Sequence, residues 1–377
     1  MEANMLSTKP HYPVLDALRG VAAITVLAFH IFEMHATSHH DQIINHGYLA
    51  VDFFFLLSGY VIGYAYDDRW HQMSIGQFFR RRIERLQPMV IIGMLIGGAL
   101  YYFHDSPAFP NIHAVPVWKM LLVMLVGCTL LPLPPSADIR GWGEMHPLNG
   151  PGWSLFFEYI ANILYGLFAR KLSKKILAIV VGLAAAMLIH YAVTSKNGDM
   201  VGGWTFNETQ LKVGFTRMLF PFFGGLLLCR TAKLIKVKHA FWLCSLLLLA
   251  ILAMPRIGSK QQLWMNGLYE SLAIVLVFPL IVYLGASADA ATGRFSSRIT
   301  KFLGDISYPL YITHYPLIYT YAAWWSRQPK GTPAKEALPA ALLCFFSALI
   351  IAYACLKLYD EPVRRWLKRK ALKTVTA

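Results

Sequence analysis

The chain has 377 residues, of which 56% are hydrophobic and only 15% charged, with a mean hydropathy of +0.46. A soluble domain carries about a quarter charged residues, so this composition excludes an ordinary soluble globular protein. The formal net charge of +15 raises nucleic acid as a partner, but Lys and Arg sit in short clusters between apolar segments, the positive-inside pattern of membrane proteins, and no DNA- or RNA-binding motif is present.

Apolar runs long enough to cross a bilayer core are predicted, in chain order, at 14–34, 47–66, 86–104, 152–170, 175–194, 211–229, 239–255, 265–285, 304–325 and 338–358. The first holds Asp16, Arg19 and His30, and no small-residue cleavage site follows, so it is not a signal peptide. A further run, 116–131, is short and edged by prolines. Basic clusters lie at Arg69–Arg85, Arg170–Lys175, Arg230–Lys238, Arg294–Lys301 and Lys357–Lys373. All five share a side with Lys9 and Arg19 only if 116–131 does not cross, and that side then holds 25 of the 35 Lys and Arg. The predicted fold class is therefore all-α integral membrane. Ten transmembrane helices form one bundle, and 116–131 is an additional short re-entrant or interfacial helix. Both termini are cytoplasmic, in a cell inner or plasma membrane. Residues 1–377 read as a single domain without an appended soluble one, and the longest external stretch is 105–151. No internal repeat is visible, which weighs against a transporter. The five cysteines lie in or beside apolar runs without metal-ligand spacing; they read as reduced core residues, and no metal is expected.

Ionisable groups inside membrane helices pair or work. Arg19 and His30 are eleven residues apart in the first span, on one helix face and roughly 16 Å apart. Both suit end-of-helix anchors that snorkel, but a neutral imidazole is also a ready general base. Asp16 is placed to pair with Arg19. Asp52 opens the second span beside three phenylalanines. Gly59 and Gly63 form a small-xxx-small pair for close helix packing. The cluster of Arg80, Arg81, Arg82 and Arg85 contains no Lys; it is either an anchor or a site for a phosphorylated cytoplasmic ligand, which Arg binds through a bidentate fork. Ser154, Glu158 and Asn162 make a polar stripe at spacing four. Arg217 is expected to pair with a carboxylate such as Glu158 or Glu270, or to grip a ligand. Ser307, Tyr311 and His314 share a face; a lone buried histidine is more often structural than catalytic.

In this order, Leu15-Asp-Ala-Leu-Arg19-Gly with His30, Val51-Asp52-Phe-Phe with Leu57-Ser58-Gly59, Arg81-Arg82-Ile-Glu-Arg85-Leu-Gln-Pro88, Trp153-Ser154-Leu155 with Glu158, Ser307-Tyr-Pro-Leu-Tyr311 with His314, and Glu361-Pro362 resemble the membrane-bound acyltransferase-3 family. The resemblance covers a core of 12–366. It implies transfer of an acyl group, acetyl most often, from cytoplasmic acyl-CoA to a hydroxyl of an extracytoplasmic or lipid-linked carbohydrate. Acyl-CoA is then the donor substrate, and no resident cofactor is expected. Under this reading Arg81, Arg82 and Arg85 hold the CoA phosphates and the pantetheine arm passes Arg19. His30, oriented by Asp52 or Glu158, deprotonates the acceptor, or is itself acylated. Ser154, Arg217, Tyr311 and His314 serve the acceptor or support the catalytic groups. The alternative is a polytopic transporter or flippase for a glycan intermediate; a scaffold fits the buried polar groups less well.

Overall fold

The computed structural model describes Lys9 and residues 11–38, 40–289 and 294–376, apart from the side chains at 294–296, 368 and 370–376. Part of the Arg294–Lys301 cluster, the end of the basic tail and residues 1–8 lie outside the described residues or side chains. The helices are α1 (Pro13–Glu33), α2 (Ala50–Tyr66), α3 (Ile75–Leu100), α4 (Val117–Gly127), α5 (Gly152–Leu167), α6 (Lys174–Thr194), α7 (Glu208–Thr231), α8 (Ala240–Ala253), α9 (Leu263–Leu272), α10 (Phe278–Ala286), α11 (Arg294–Thr313), α12 (Tyr315–Ser326), α13 (Leu338–Cys355) and α14 (Glu361–Thr376). Among the described residues there is no strand, only isolated bridges at Ser106–Phe109 and Val237–Ala288.

Among the described residues, seven helical stretches are long and apolar enough to cross a membrane: Pro13–Glu33, Gly47–Tyr66, Ile75–His104, Lys174–Thr194, Glu208–Thr231, Leu263–Ala286 and Ala334–Leu367. The protein is an all-α, multi-pass membrane protein. The other three expected spans are helical but shorter or interrupted. α5 has 16 residues and α8 has 14, while α11 and α12 are separated at His314. Pro316 explains that interruption. It has no N–H to offer the carbonyl four residues back, and the freed Ile312 carbonyl accepts instead from Asn149 Nδ2 at 2.8 Å.

Local signals start several helices. Ser74 and Gln77 form a capping box on α3. Ser173 and Asn207 cap α6 and α7 by accepting from Ile176 and Gln210 backbone N–H groups. Helix pairs then close over glycines. A Cβ at Gly20 would meet the Leu303 carbonyl oxygen at 2.3 Å, so α1 packs directly on α11. Gly59 does the same against Phe222, and Gly225 of α7 answers against Leu56, so the expected small-residue packing of α2 is present.

Loops sort to the two ends of the bundle. At one end Arg230 pairs with Asp67 at 2.6 Å and donates to the Leu172 and Ala169 carbonyls. Lys9 pairs with Asp68, and Val237 bonds to Ser287. Basic clusters far apart in sequence thus meet at one end. At the other, His46 reaches the Met254 carbonyl, Arg256 pairs with Asp199, and Arg327 reaches the Asp105 carbonyl. α4 has only 11 residues, about 16 Å of helix against a core of about 30 Å. It runs antiparallel to α3: Gly98 faces Met120 and Met124, Gly127 faces Met94, and Gln87 donates to the Cys128 carbonyl. The chain turns back at Leu130 (φ 60°), whose carbonyl accepts from His146 Nε2 at 3.2 Å. α4 and the segment after Leu130 thus form a short hairpin beside α3.

Candidate active site

α1 carries Arg19 toward the basic end and His30 toward the opposite end of one unbroken helix. His30 Nδ1 lies 2.8 Å from Glu33 Oε2, one turn further on. With that N–H donated to the carboxylate, Nε2 keeps its lone pair. The ring stacks on His314 with centroids 5.6 Å apart and meets Tyr315 edge-on at 4.9 Å. His314 is 1% exposed, and its Nδ1 lies 3.0 Å from the Leu310 and 2.9 Å from the Tyr311 carbonyl oxygen. Nδ1 therefore donates, and among the described residues Nε2 has no partner. Two imidazoles thus stack with their Nδ1 positions already committed.

One turn below His314, the Tyr311 hydroxyl is 2.6 Å from Ser154 Oγ, which donates to the Pro151 carbonyl at 3.0 Å. Tyr311 is therefore the donor to Ser154. The hydroxyls lock α11 to α5 beside the histidines.

The carboxylates are arranged differently from the sequence expectation. Asp52 does not orient His30. It is fully buried and pairs with Arg217 at 2.6 Å. Arg217 also donates to the Tyr48 and Gly202 carbonyls and lies over the Trp153 ring. A buried guanidinium needs all its donors occupied, and the Tyr48 carbonyl before α2 and the Gly202 carbonyl before α7 supply what Asp52 cannot. Nor does Glu158 orient His30. Its Oε1 accepts from Arg82 Nη2 at 2.8 Å and from Ser58 Oγ at 2.9 Å. Arg217 accordingly pairs with Asp52 and not with Glu158. Glu270, the other partner expected for it, accepts from Tyr48, Asn266 and the Met200 backbone.

The arginine cluster divides. Arg82 is 5% exposed and committed to Glu158. Arg81 and Arg85 are exposed. Arg85 has Arg82 and Arg19 as its cationic neighbours and Asp16 and Glu158 as acidic ones. Arg19 is 3.5 Å from Asp16, the pair anticipated from spacing. All five cysteines are free thiols, and among the described residues no His, Cys, Asp and Glu group could hold a metal ion.

Sequence reasoning missed Glu33, Tyr315 and Glu144. Glu33 had a signal in its i,i+3 spacing from His30. Glu144 had none, because a loop residue is placed only by tertiary structure. It is 5% exposed between α4 and α5 and accepts from the Tyr319 hydroxyl. Burial, the largest effect, pushes its carboxyl up to about 8, against the opposing Tyr319 hydrogen bond and Arg140 charge.

Fold and site define a multi-pass helical membrane protein with a histidine pair near one end of its bundle and clustered arginines toward the other. The acyltransferase domain family (acyltransferase 3) matches residues 12–357, so the chain belongs to that family and is an acyltransferase. It is 28% identical to the acyltransferase MdmB of Streptomyces mycarofaciens, covering 88% of each chain. It is 25% identical to the peptidoglycan O-acetyltransferase OatA of Listeria monocytogenes, over 97% of this chain and 58% of that protein, so it spans little more than half of that relative. It is 27% identical to protein 2 in the picA locus of Rhizobium radiobacter, over 48% of this chain and 95% of that one. No solved structure matches it.

Proposed function

We propose that this acyltransferase moves an acyl group, acetyl foremost, from cytoplasmic acyl-CoA to a hydroxyl of an extracytoplasmic or lipid-linked carbohydrate. The observation that carries this reading is His30, hydrogen-bonded through Nδ1 to Glu33 and eleven residues along α1 from Arg19. Eleven residues span roughly 16 Å, the order of an extended pantetheine arm. The named activity of OatA, O-acetylation of peptidoglycan, supports a carbohydrate acceptor.

In this mechanism ten crossings place the basic end in the cytoplasm, where Arg19, Arg81 and Arg85 meet the CoA phosphates. Arg82 and Glu158 neutralise each other and hold α3 against α5. The thioester reaches His30. Nε2 of His30 takes the acceptor hydroxyl proton as the oxygen attacks the thioester carbonyl carbon. The C–S bond then breaks, and the departing thiolate takes up a proton. Glu33 fixes the ring and stabilises the imidazolium that forms. Tyr311, Ser154 and His314 shape the acceptor side, and enclosure limits hydrolysis of the thioester.

The test uses sealed inside-out vesicles with a lipid-linked glycan acceptor only in the lumen and radiolabelled acetyl-CoA added outside. Labelled luminal acceptor from wild type, absent from His30→Ala at equal abundance, is the expected result. Product formed only when acceptor and CoA share a side overturns the transmembrane reading.

A further inference from the structure

Glu144 is a buried carboxyl that neither the sequence reading nor the mechanism uses, and its surroundings give it a task. Its Oε2 accepts from the Tyr319 hydroxyl, while among the described residues no hydrogen bond to Oε1 is found. A Cβ placed on Gly150 would lie 2.6 Å from Glu144 Oε1 and 2.7 Å from Tyr315 Cε1. The absence of a side chain at 150 thus leaves room for the carboxyl and the Tyr315 ring to approach the same point. That ring meets His30 at 4.9 Å, His314 at 5.8 Å and Tyr319 at 4.8 Å. The acidic charges closest in effect to Tyr315 are Glu144 and Glu33. One partly exposed aromatic ring therefore separates the base from a second polar group supplied by the 105–151 stretch.

We propose that Tyr315 and Glu144 form an acceptor subsite that selects a vicinal diol, with one hydroxyl presented to His30 and its neighbour hydrogen-bonded to Glu144 Oε1. The proposal rests on the carbohydrate reading above. Two adjacent hydroxyls with a hydrogen bond at each end span about 8 Å, the order of the distance across one aromatic ring with a contact on either side. The apolar face of a sugar ring suits the Tyr315 surface, while its hydroxyls need the flanking polar groups. At neutral pH the raised Glu144 carboxyl keeps its proton. Tyr319 already donates to Oε2, so that proton sits on Oε1 and is offered to the acceptor. The charged and titratable groups acting on Glu144 are Arg140 and Asp138 on its own loop and Tyr319 on α12; His104 bonds to Arg140, and Glu33 and His30 act on or meet Tyr315.

The full chain in nanodiscs, open on both faces, is assayed with radiolabelled acetyl-CoA and methyl β-D-glucopyranoside or its monodeoxy analogues. For wild type, removing the hydroxyl adjacent to the acylated one is expected to lower kcat/KM about tenfold or more, the loss of a hydrogen bond to a buried partner. Glu144→Ala is expected to show that loss on the parent glucoside, no further loss on the analogue, and an unchanged KM for acetyl-CoA. Glu144→Gln, whose amide accepts from Tyr319 and still donates outward, is expected to restore discrimination. Additive losses, or a change in the acetyl-CoA KM instead, overturn the subsite. Should Glu144→Ala not accumulate, the wild-type analogue series and Glu144→Gln decide, and equal rates on parent and analogues overturn it. If wild type consumes acetyl-CoA but acylates no glucoside, the carbohydrate reading fails, and the subsite with it.

Discussion

His30 Nδ1 and Glu33 Oε2 stand 2.8 Å apart on consecutive turns of one helix. The helix itself fixes this pair, because residues three apart face each other, so the proposed base needs no partner from another span. Glu33→Gln keeps the hydrogen-bond acceptor and removes the charge that steadies an imidazolium. It is expected to lower kcat about 10- to 100-fold with little change in the KM for acyl-CoA, whereas His30→Ala costs about 10²- to 10⁴-fold. Steady-state kinetics on purified protein check this; wild-type kcat in Glu33→Gln contradicts the pairing.

The arginines are expected to separate by role. Arg85→Lys keeps charge but loses the fork, so the KM for acyl-CoA should rise several-fold at constant acceptor KM. Arg82→Gln leaves Glu158 without its cation 2.8 Å away. Thermal stability should fall, and adding Glu158→Gln should recover most of it. Thermal unfolding in parallel with kinetics distinguishes the two behaviours.

Much of the fold was legible in the sequence because lipid imposes one rule on every span: apolar for the length of the core and helical throughout. The basic clusters added the second dimension. Arg230, found bonded to Asp67 and to the 169 and 172 carbonyls, gathers segments the charge pattern alone had grouped. Pairings between spans were not legible. Asp52, Glu158, Glu270 and Arg217 are all buried or half-buried and each finds polar partners from other segments. Which carboxylate meets which cation depends on helix rotation and on backbone carbonyls such as Tyr48 and Gly202, which sequence does not register. Glu144 shows the same limit for a loop, since only Gly150 and the α12 tyrosines give its position meaning.

The Asp52–Arg217 pair, both side chains at most 1% exposed, is expected to act on stability. Asp52→Asn or Arg217→Gln alone strands the other group and should cost about 3–5 kcal/mol. The double variant should be less damaged than the sum, because no unpaired charge remains. Thermal unfolding of the three variants checks the coupling. A variant that unfolds like wild type but loses all turnover would instead give the pair a direct part in chemistry.

Glu144 predicts a pH dependence of stability. Its carboxyl is held at about 8 when folded, against about 4.3 when unfolded. The folded state therefore binds the proton more tightly. The stability this gives is fully present below the unfolded value and is lost as pH rises through about 8, at up to about 1.4 kcal/mol per pH unit. Glu144→Gln cannot ionise, so its unfolding temperature should fall less than that of wild type between pH 5 and 8. Identical slopes contradict a protonated Glu144.

The topology can be decided at α4. Eleven residues supply about half of a bilayer core, and the turn at Leu130 sends the chain back along α3. Segments before and after α4 should therefore lie on the same side of the membrane. Ala108→Cys and Ser136→Cys, each in a chain with its five native cysteines replaced, should both react with an impermeant maleimide added outside intact cells. Lys236→Cys, at the basic end where Val237 bonds to Ser287, should react only after permeabilisation. Opposite labelling of 108 and 136 would mean that α4 crosses. Every basic cluster after it would then change sides relative to Arg80–Arg85, against the contacts that bring Arg230 to Asp67 and the 169 and 172 carbonyls. Same-side labelling from outside fixes His30 at the outer end of α1 and the arginines at the inner end, the arrangement that transmembrane acyl transfer requires.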